Sequence, residues 1–161
     1  HLTETLRQAA AHPGTALIEI YQNCNIFNDG AFDALKDKQS AEEAVIRLEH
    51  GRPIRFGSDL SKGVVRDART GDLKVVAVTP ENEDQVLVHD AHASSPTTAF
   101  ALSRLADPDT LHHTPVGVFR SVDRPVYDTL MSDQLDTAIE QQGKGDLAAL
   151  LAGGDTWTVV G

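Results

Sequence analysis

The sequence predicts an α/β unit over residues 1–35, followed by a mixed α+β region over residues 36–161. Three observations carry this. The chain opens with helical spacing, a Pro-Gly break and a short β-branched run. A hairpin pattern lies near residues 64–78, and long helical spacing returns after residue 126. At 161 residues the chain has the length of one ordinary domain, or of one domain with a tail.

Taken in order, Leu2, Leu6 and Ala9 recur at helical spacing, and His12-Pro13-Gly14 ends that helix. Thr15-Ala16-Leu17-Ile18-Glu19-Ile20-Tyr21 is short and mostly apolar, as a central strand buried on both faces is. The strand runs into a polar loop over residues 22–30, at the sheet edge where open α/β folds bind ligands. Asn28 or Asp29 is expected to cap a short helix over 31–35. Ser40-Ala41-Glu42-Glu43 has the form of a capping box. Two β-like runs then flank His50-Gly51-Arg52-Pro53, giving strand, turn and strand.

Val64 and Val65 are expected opposite Val75, Val76 and Val78, across the turn residues 67–72. Val86-Leu87-Val88 reads as one more short strand, and residues 90–98 as loop. Phe100, Leu102 and Leu105 fit a helix that stops before Asp107-Pro108. Residues 111–115 read as irregular and 116–119 as a short apolar run. Residues 126–142 are helix-like, residues 146–152 form a capped helix ended by Gly153-Gly154, and residues 156–160 close as a strand.

Composition narrows the function classes. Hydrophobic residues at 40% and charged residues at 24% describe a globular chain, with aromatics at 5% leaving the core to Val, Leu, Ile and Ala. A net charge of −10 repels nucleic-acid phosphates and anionic membrane surfaces. No apolar run approaches the roughly 20 residues of a membrane helix. The lone Cys24 forbids an internal disulfide and fits a reducing compartment, so a cytoplasmic location is expected. The chain begins at His1 with no basic-then-apolar leader and opens directly into a helix, as a piece cut from a longer protein does.

No complete active site is spelled out. Phosphate-loop, dinucleotide, zinc-protease, nucleophile-elbow and calcium-loop patterns are all absent. Cys24 holds three readings open: a structural thiol, a metal ligand, or a nucleophile with His12 or His50 as its base. His112 and His113 are adjacent, so their side chains diverge and a solvated loop is the simpler reading than a metal pair. His89 and His92 straddle Asp90 and could flank a site. Residues 81–84 and 107–109 are acidic runs of the kind that form solvated turns. Arg47, Arg52 and Arg55 cluster near the Gly-Arg-Pro turn, where they could bind a carboxylate or coenzyme phosphates, with surface ion pairs as the plainer reading.

Residues 15–32, Thr-Ala-Leu-Ile-Glu-Ile-Tyr-Gln-Asn-Cys-Asn-Ile-Phe-Asn-Asp-Gly-Ala-Phe, resemble the β subunit of 2-oxoacid:ferredoxin oxidoreductases, especially those acting on 2-oxoglutarate. Residues 48–57 (Leu-Glu-His-Gly-Arg-Pro-Ile-Arg-Phe-Gly), 88–92 (Val-His-Asp-Ala-His) and 115–127 (Pro-Val-Gly-Val-Phe-Arg-Ser-Val-Asp-Arg-Pro-Val-Tyr) extend the resemblance along nearly the whole chain. It implies the C-terminal half of such a subunit. Residues 1–35 would then be the C-terminal edge of a parallel α/β domain that binds thiamine diphosphate, and residues 36–161 the subunit's C-terminal region. The family's Gly-Asp-Gly thiamine motif and its other cluster cysteines do not occur here.

In the intact enzyme the family uses thiamine diphosphate, Mg2+ and a 4Fe-4S cluster. It takes 2-oxoacid and coenzyme A as substrates, and an α subunit and ferredoxin as partners. Cys24, within Asn23-Cys24-Asn25-Ile26-Phe27-Asn28, matches the family's fourth cluster cysteine, which makes it the expected metal ligand. Fe–S clusters usually take four thiolates, so the chain by itself is expected to hold no cofactor and to be inactive. The resemblance thus implies part of an oxidative decarboxylase of 2-oxoglutarate, giving succinyl-CoA. The alternative is a non-catalytic assembly module that contacts the α subunit or ferredoxin. A free-standing cysteine-dependent enzyme is the third reading, and Cys24 is its only possible thiol nucleophile.

Overall fold

Ile46 and Leu48 point one way and Arg47 the other, the alternation that lets a strand bury one face. The core is built from that strand outward. The computed structural model describes residues 1–154, 157–159 and 161, with the backbone alone at 38 and 39. Its elements are α1 (Leu2–Ala11), α2 (Asp33–Lys36), α3 (Lys38–Ala44), β1 (Val45–Leu48), β2 (Arg55–Phe56), β3 (Lys62–Arg66), β4 (Leu73–Ala77), α4 (Thr97–Ser103), β5 (Thr114–Gly117), α5 (Tyr127–Gln142) and α6 (Leu147–Ala152). The chain divides into two compact units, His1–Asp123 and Arg124–Gly161.

Within the first unit β1 pairs in parallel with β5, and β2, β3 and β4 form an antiparallel sheet. Mixed α/β character with both sheet types is therefore observed. Val64 stands opposite Val75 and Gly63 opposite Val76, so the expected hairpin forms, with Val65 opposite Lys74 and Val78 beyond the end of β4. Pro115 sits in β5, where a two-stranded sheet leaves each strand an open edge and a missing N–H is tolerated.

Ile46, Leu48, Ile54, Phe56, Val64 and Leu102 form the core, with Leu73, Val75, Leu87, Leu105 and Phe119 packed against it. Two glycines permit close approach. A Cβ at Gly63 would lie 2.8 Å from Val78 Cγ2 and 3.0 Å from Val86 Cγ2. Gly117 has φ +127°, and a Cβ there would lie 2.7 Å from the carbonyl oxygen of Leu48, its partner in the ladder.

Several expectations need correction. Residues 15–21 form no strand: they pair with nothing and their apolar side chains are exposed. β-branched, apolar sequence reports a tendency to be buried in a sheet, but a strand exists only beside another strand. The short helix begins at Asp33, and its N-cap is Phe32 with no side-chain bond, so neither Asn28 nor Asp29 caps it. Asp37, whose carboxylate accepts from Ser40 N–H, caps α3, while Ser40 lies inside the helix with its Oγ donating to Ala34 O. Residues 86–88 make isolated bridges to Val65 and Pro53 in place of a ladder. β5 starts in a stretch expected to be irregular.

In the second unit α5 and α6 fall where the spacing puts them, and Asp146 caps α6 through Ala148 and Ala149 N–H. The strand expected over 156–160 starts and ends on residues outside the described set, and 157–159 form none. Among the described residues no helix is long and apolar enough to cross a membrane.

Candidate metal centre

Asparagine, aspartate and glycine crowd residues 23–30, and such residues close loops by bonding their own backbone. Here they do so. Asn23 Nδ2 donates to Asp29 Oδ1 at 2.8 Å, and Gly30 N–H donates to Asn23 Oδ1 at 2.9 Å. Asn28 N–H donates to the Cys24 carbonyl at 2.9 Å, completing a Cys24–Asn28 bridge. Gly30 turns the chain at φ +75°. Outside the knot, the Tyr21 and Phe32 rings stack at 5.1 Å, which clamps the loop's two ends together.

Cys24 sits at the base of this loop, partly exposed and free of any disulfide. Backbone N–H groups of Phe27, then Ile26 and Asn28, hold its thiol below the ordinary pKa. Donors aimed at sulfur favour the thiolate, the form that binds metals and attacks electrophiles. Among the described residues no hydrogen bond or ion pair joins Cys24 to a histidine or carboxylate, so the base that a nucleophile needs is not in place. Nor do any three His, Cys, Asp or Glu residues among them close on a metal ion. The loop offers one thiol drawn below its usual pKa and no second cysteine.

The histidines that the sequence singled out gather elsewhere. His50 Nδ1 accepts from Ala91 N–H at 3.2 Å and lies 3.6 Å from Asp90 Oδ1. The His50 and His92 rings meet edge to face at 4.5 Å, and His92 Nδ1 bonds Ser121 O at 2.7 Å. His12 Nδ1 lies 3.5 Å from Ser121 Oγ, and buried His89 bonds Val118 O through Nε2. These histidines tie residues 50–52, 89–92 and 118–121 together; they are stitches and form no metal cluster. Ser121 is their hub, and no local pattern in the sequence marks it.

His113 has φ +61°, sits edge-on to Phe56 at 5.8 Å, and is pushed toward the neutral form, chiefly by burial. Its ring lies 6.3 Å from that of His112, with the two planes tilted by 47°, in keeping with the divergence expected of neighbours. Arg55 pairs with Glu83 at 2.9 Å and donates to Leu60 O, while Arg47 and Arg52 stay exposed. Asp107 accepts from Thr110 and from Asp109 N–H, an ordinary solvated turn. Sequence reading missed Glu43, which takes Lys62 at 2.6 Å and Ser58 N–H at 3.1 Å. Those partners lie too far along the chain for any spacing rule to reveal.

No protein-family model matches the chain, and no solved structure matches it. It is 46% identical, over a 166-residue alignment, to 2-oxoglutarate oxidoreductase subunit KorB from Mycobacterium tuberculosis. The alignment covers 98% of this chain and 42% of KorB, so the chain spans less than half the length of that relative. The Cys24 loop and the segments that resemble the β subunit all lie within this span, and the chain is a relative of the C-terminal 42% of a 2-oxoglutarate oxidoreductase subunit.

Proposed function

We propose that this chain is part of a 2-oxoacid:ferredoxin oxidoreductase β subunit, and that Cys24 supplies one thiolate to a 4Fe-4S cluster in the intact enzyme. Residues 1–35 would belong to the thiamine-diphosphate domain, and 36–161 to the subunit's C-terminal region. The proposed substrates are 2-oxoglutarate and coenzyme A, the partners are the α subunit and ferredoxin, and the setting is the cytoplasm. In such enzymes thiamine diphosphate with Mg2+ carries the decarboxylation, and the cluster passes the electrons to ferredoxin.

The observation that carries this reading is the 46% identity to KorB over a span that includes the Cys24 loop, whose backbone at Phe27, Ile26 and Asn28 draws the thiol below its ordinary pKa. Hydrogen bonds to sulfur stabilise the anion that iron needs and tune a cluster's potential. Asn23, Asp29 and Gly30 close the loop that carries Cys24. Ile26 and Phe27, at 78% and 90% exposure, present an apolar rim that would keep water from the sulfur once covered. One thiolate cannot hold a cluster, so the remaining ligands must come from polypeptide outside this chain.

The test is the full-length subunit, purified anaerobically with its partner. Cys24→Ser should lower iron per subunit and bleach the visible absorption, while the complex stays assembled. Iron content and spectra unchanged in Cys24→Ser would refute the assignment. This chain purified alone should be colourless, and stoichiometric iron in it would equally overturn the reading.

A further inference from the structure

Three stretches far apart in sequence meet at His50. Gly51 N–H donates to His89 O at 2.8 Å and His89 N–H to Arg52 O at 2.9 Å, which ties the turn at 50–53 to residue 89. Ser121 N–H donates to Ala91 O at 2.7 Å and brings 118–121 to the same junction. Ala91 is buried, and among the described residues its N–H has a single acceptor, His50 Nδ1 at 3.2 Å. The same ring nitrogen lies 3.6 Å from Asp90 Oδ1.

A ring nitrogen that accepts a hydrogen bond carries no proton, so His50 is neutral here with its hydrogen on Nε2. The other histidines of the junction are placed differently. His92 Nδ1 lies 2.7 Å from Ser121 O and His89 Nε2 lies 2.8 Å from Val118 O. Carbonyls only accept, so those two nitrogens carry a hydrogen in the neutral and the charged ring alike. His12 Nδ1 faces the Ser121 hydroxyl, which can give or take. A second proton therefore leaves the bonds of His89 and His92 standing and cancels the bond of His50.

We propose that His50 is an acid-sensitive latch: when neutral it holds the buried N–H of Ala91, and when charged it turns its Nδ1 hydrogen to Asp90 and releases residues 90–92. Imidazole is the side chain that changes charge between about pH 5 and pH 8. Once Nδ1 is protonated, His50 and Ala91 present two donors to each other, and a buried N–H without an acceptor is costly. Asp90 supplies the alternative, since its carboxylate attracts the imidazolium and is itself held in place by His92 N–H at 2.9 Å. The His50 side chain is 52% exposed, so a proton reaches it without unfolding. The titratable and charged groups at the ring are Asp90 and His92, the latter edge-on at 4.5 Å. Glu49 and Arg52 flank it on its own turn, and His12 and His89 join the junction through Ser121 and Val118.

Amide exchange of this chain, followed by NMR and corrected for the intrinsic pH dependence of exchange, tests the latch. Protection at Ala91 should fall at least about tenfold between about pH 8 and pH 5, and Ser121 should follow because its acceptor is the Ala91 carbonyl. The ring nitrogens of His50 should titrate with the same midpoint as the Ala91 amide. His50→Asn should keep Ala91 protected throughout, because its side-chain oxygen stands where Nδ1 stands and does not titrate. His50→Gln, whose oxygen reaches the Nε2 position instead, should leave Ala91 unprotected at every pH. His92→Asn, which keeps a donor for Ser121 O, should leave the step in place. A flat Ala91 profile in the wild-type chain overturns the latch, and so do separate midpoints for the His50 ring and the Ala91 amide, which need no variant to read. A step that persists in His50→Asn or disappears in His92→Asn assigns the titration to another histidine and overturns it equally.

Discussion

Residues 44–115 and the flanks on either side are made of the same kinds of apolar residue and end in opposite states. Ile46 and Val64 have no exposed surface, whereas Leu17 and Phe27 are 97% and 90% exposed. Among the described residues every buried one falls between 44 and 115. The difference is the presence of a partner. Ile46 lies in a strand with β5 beside it and Leu102 and Phe56 in its cluster, while residues 15–21 have no strand to bond. Composition sets what a segment gains by burial, and only a neighbour realises the gain. The central region is a finished core. The flanks leave their apolar residues exposed, in a chain that spans 42% of its relative's length.

The sharpest way to break this contrast is a pair of truncations measured by chemical denaturation of this chain. Ile46→Ala removes a fully buried side chain and should cost about 2–5 kcal/mol. Leu17→Ala should change stability by less than about 0.5 kcal/mol, as at other exposed positions. Equal costs at the two sites would mean that residues 15–21 are packed and that the contrast is false.

A smaller effect is expected from Gly63→Ala. Its new methyl would meet Val78 and Val86 at 2.8 and 3.0 Å, both of them branched side chains with little freedom to retreat. Overpacking of this kind should cost about 1–3 kcal/mol. The same substitution at Gly145, which has open space around it, serves as the control. A neutral Gly63→Ala would show that the sheet yields more easily than a close-packed core does.

How much was legible follows the same division. The β3–β4 hairpin, the start of β1 and the helices α1, α5 and α6 were readable, because each depends on neighbours close in sequence: Val64 opposite Val75, Pro13-Gly14 after α1, Asp146 before α6. The parallel pairing of β1 with β5 was not, since Ile46 and Pro115 meet across a long excursion that no spacing encodes. Cys24 was singled out by its matching context. The loop closure between Asn23 and Asp29 around it is something only the folded chain displays. The misread strand at 15–21 shows the opposite error, a correct estimate of burial tendency with no partner in the chain to satisfy it.

The smallest predicted effect compares two acids whose anions the backbone holds. Asp67 closes the β3–β4 turn: Oδ1 accepts from Arg69 N–H at 2.8 Å and Thr70 N–H at 3.1 Å, and Oδ2 takes Lys74 Nζ at 3.0 Å. Lys74 first, then those two N–H groups, hold its carboxyl at about 2, against an ordinary 3.8. A folded-state pKa below the unfolded one means that the contribution is complete above the unfolded value and is lost as pH falls through the folded one. The turn should therefore keep its geometry down to about pH 3.8 and loosen toward pH 2, with the Arg69 and Thr70 amide signals reporting the step by NMR. Lys74→Ala should raise that midpoint, while Lys74→Arg should largely restore it. A midpoint at the ordinary carboxylate value would show that the bonds to Asp67 do not hold in solution. At Cys24 no cation among the described residues plays that part, and the backbone of Phe27, Ile26 and Asn28 alone draws the thiol below its usual value.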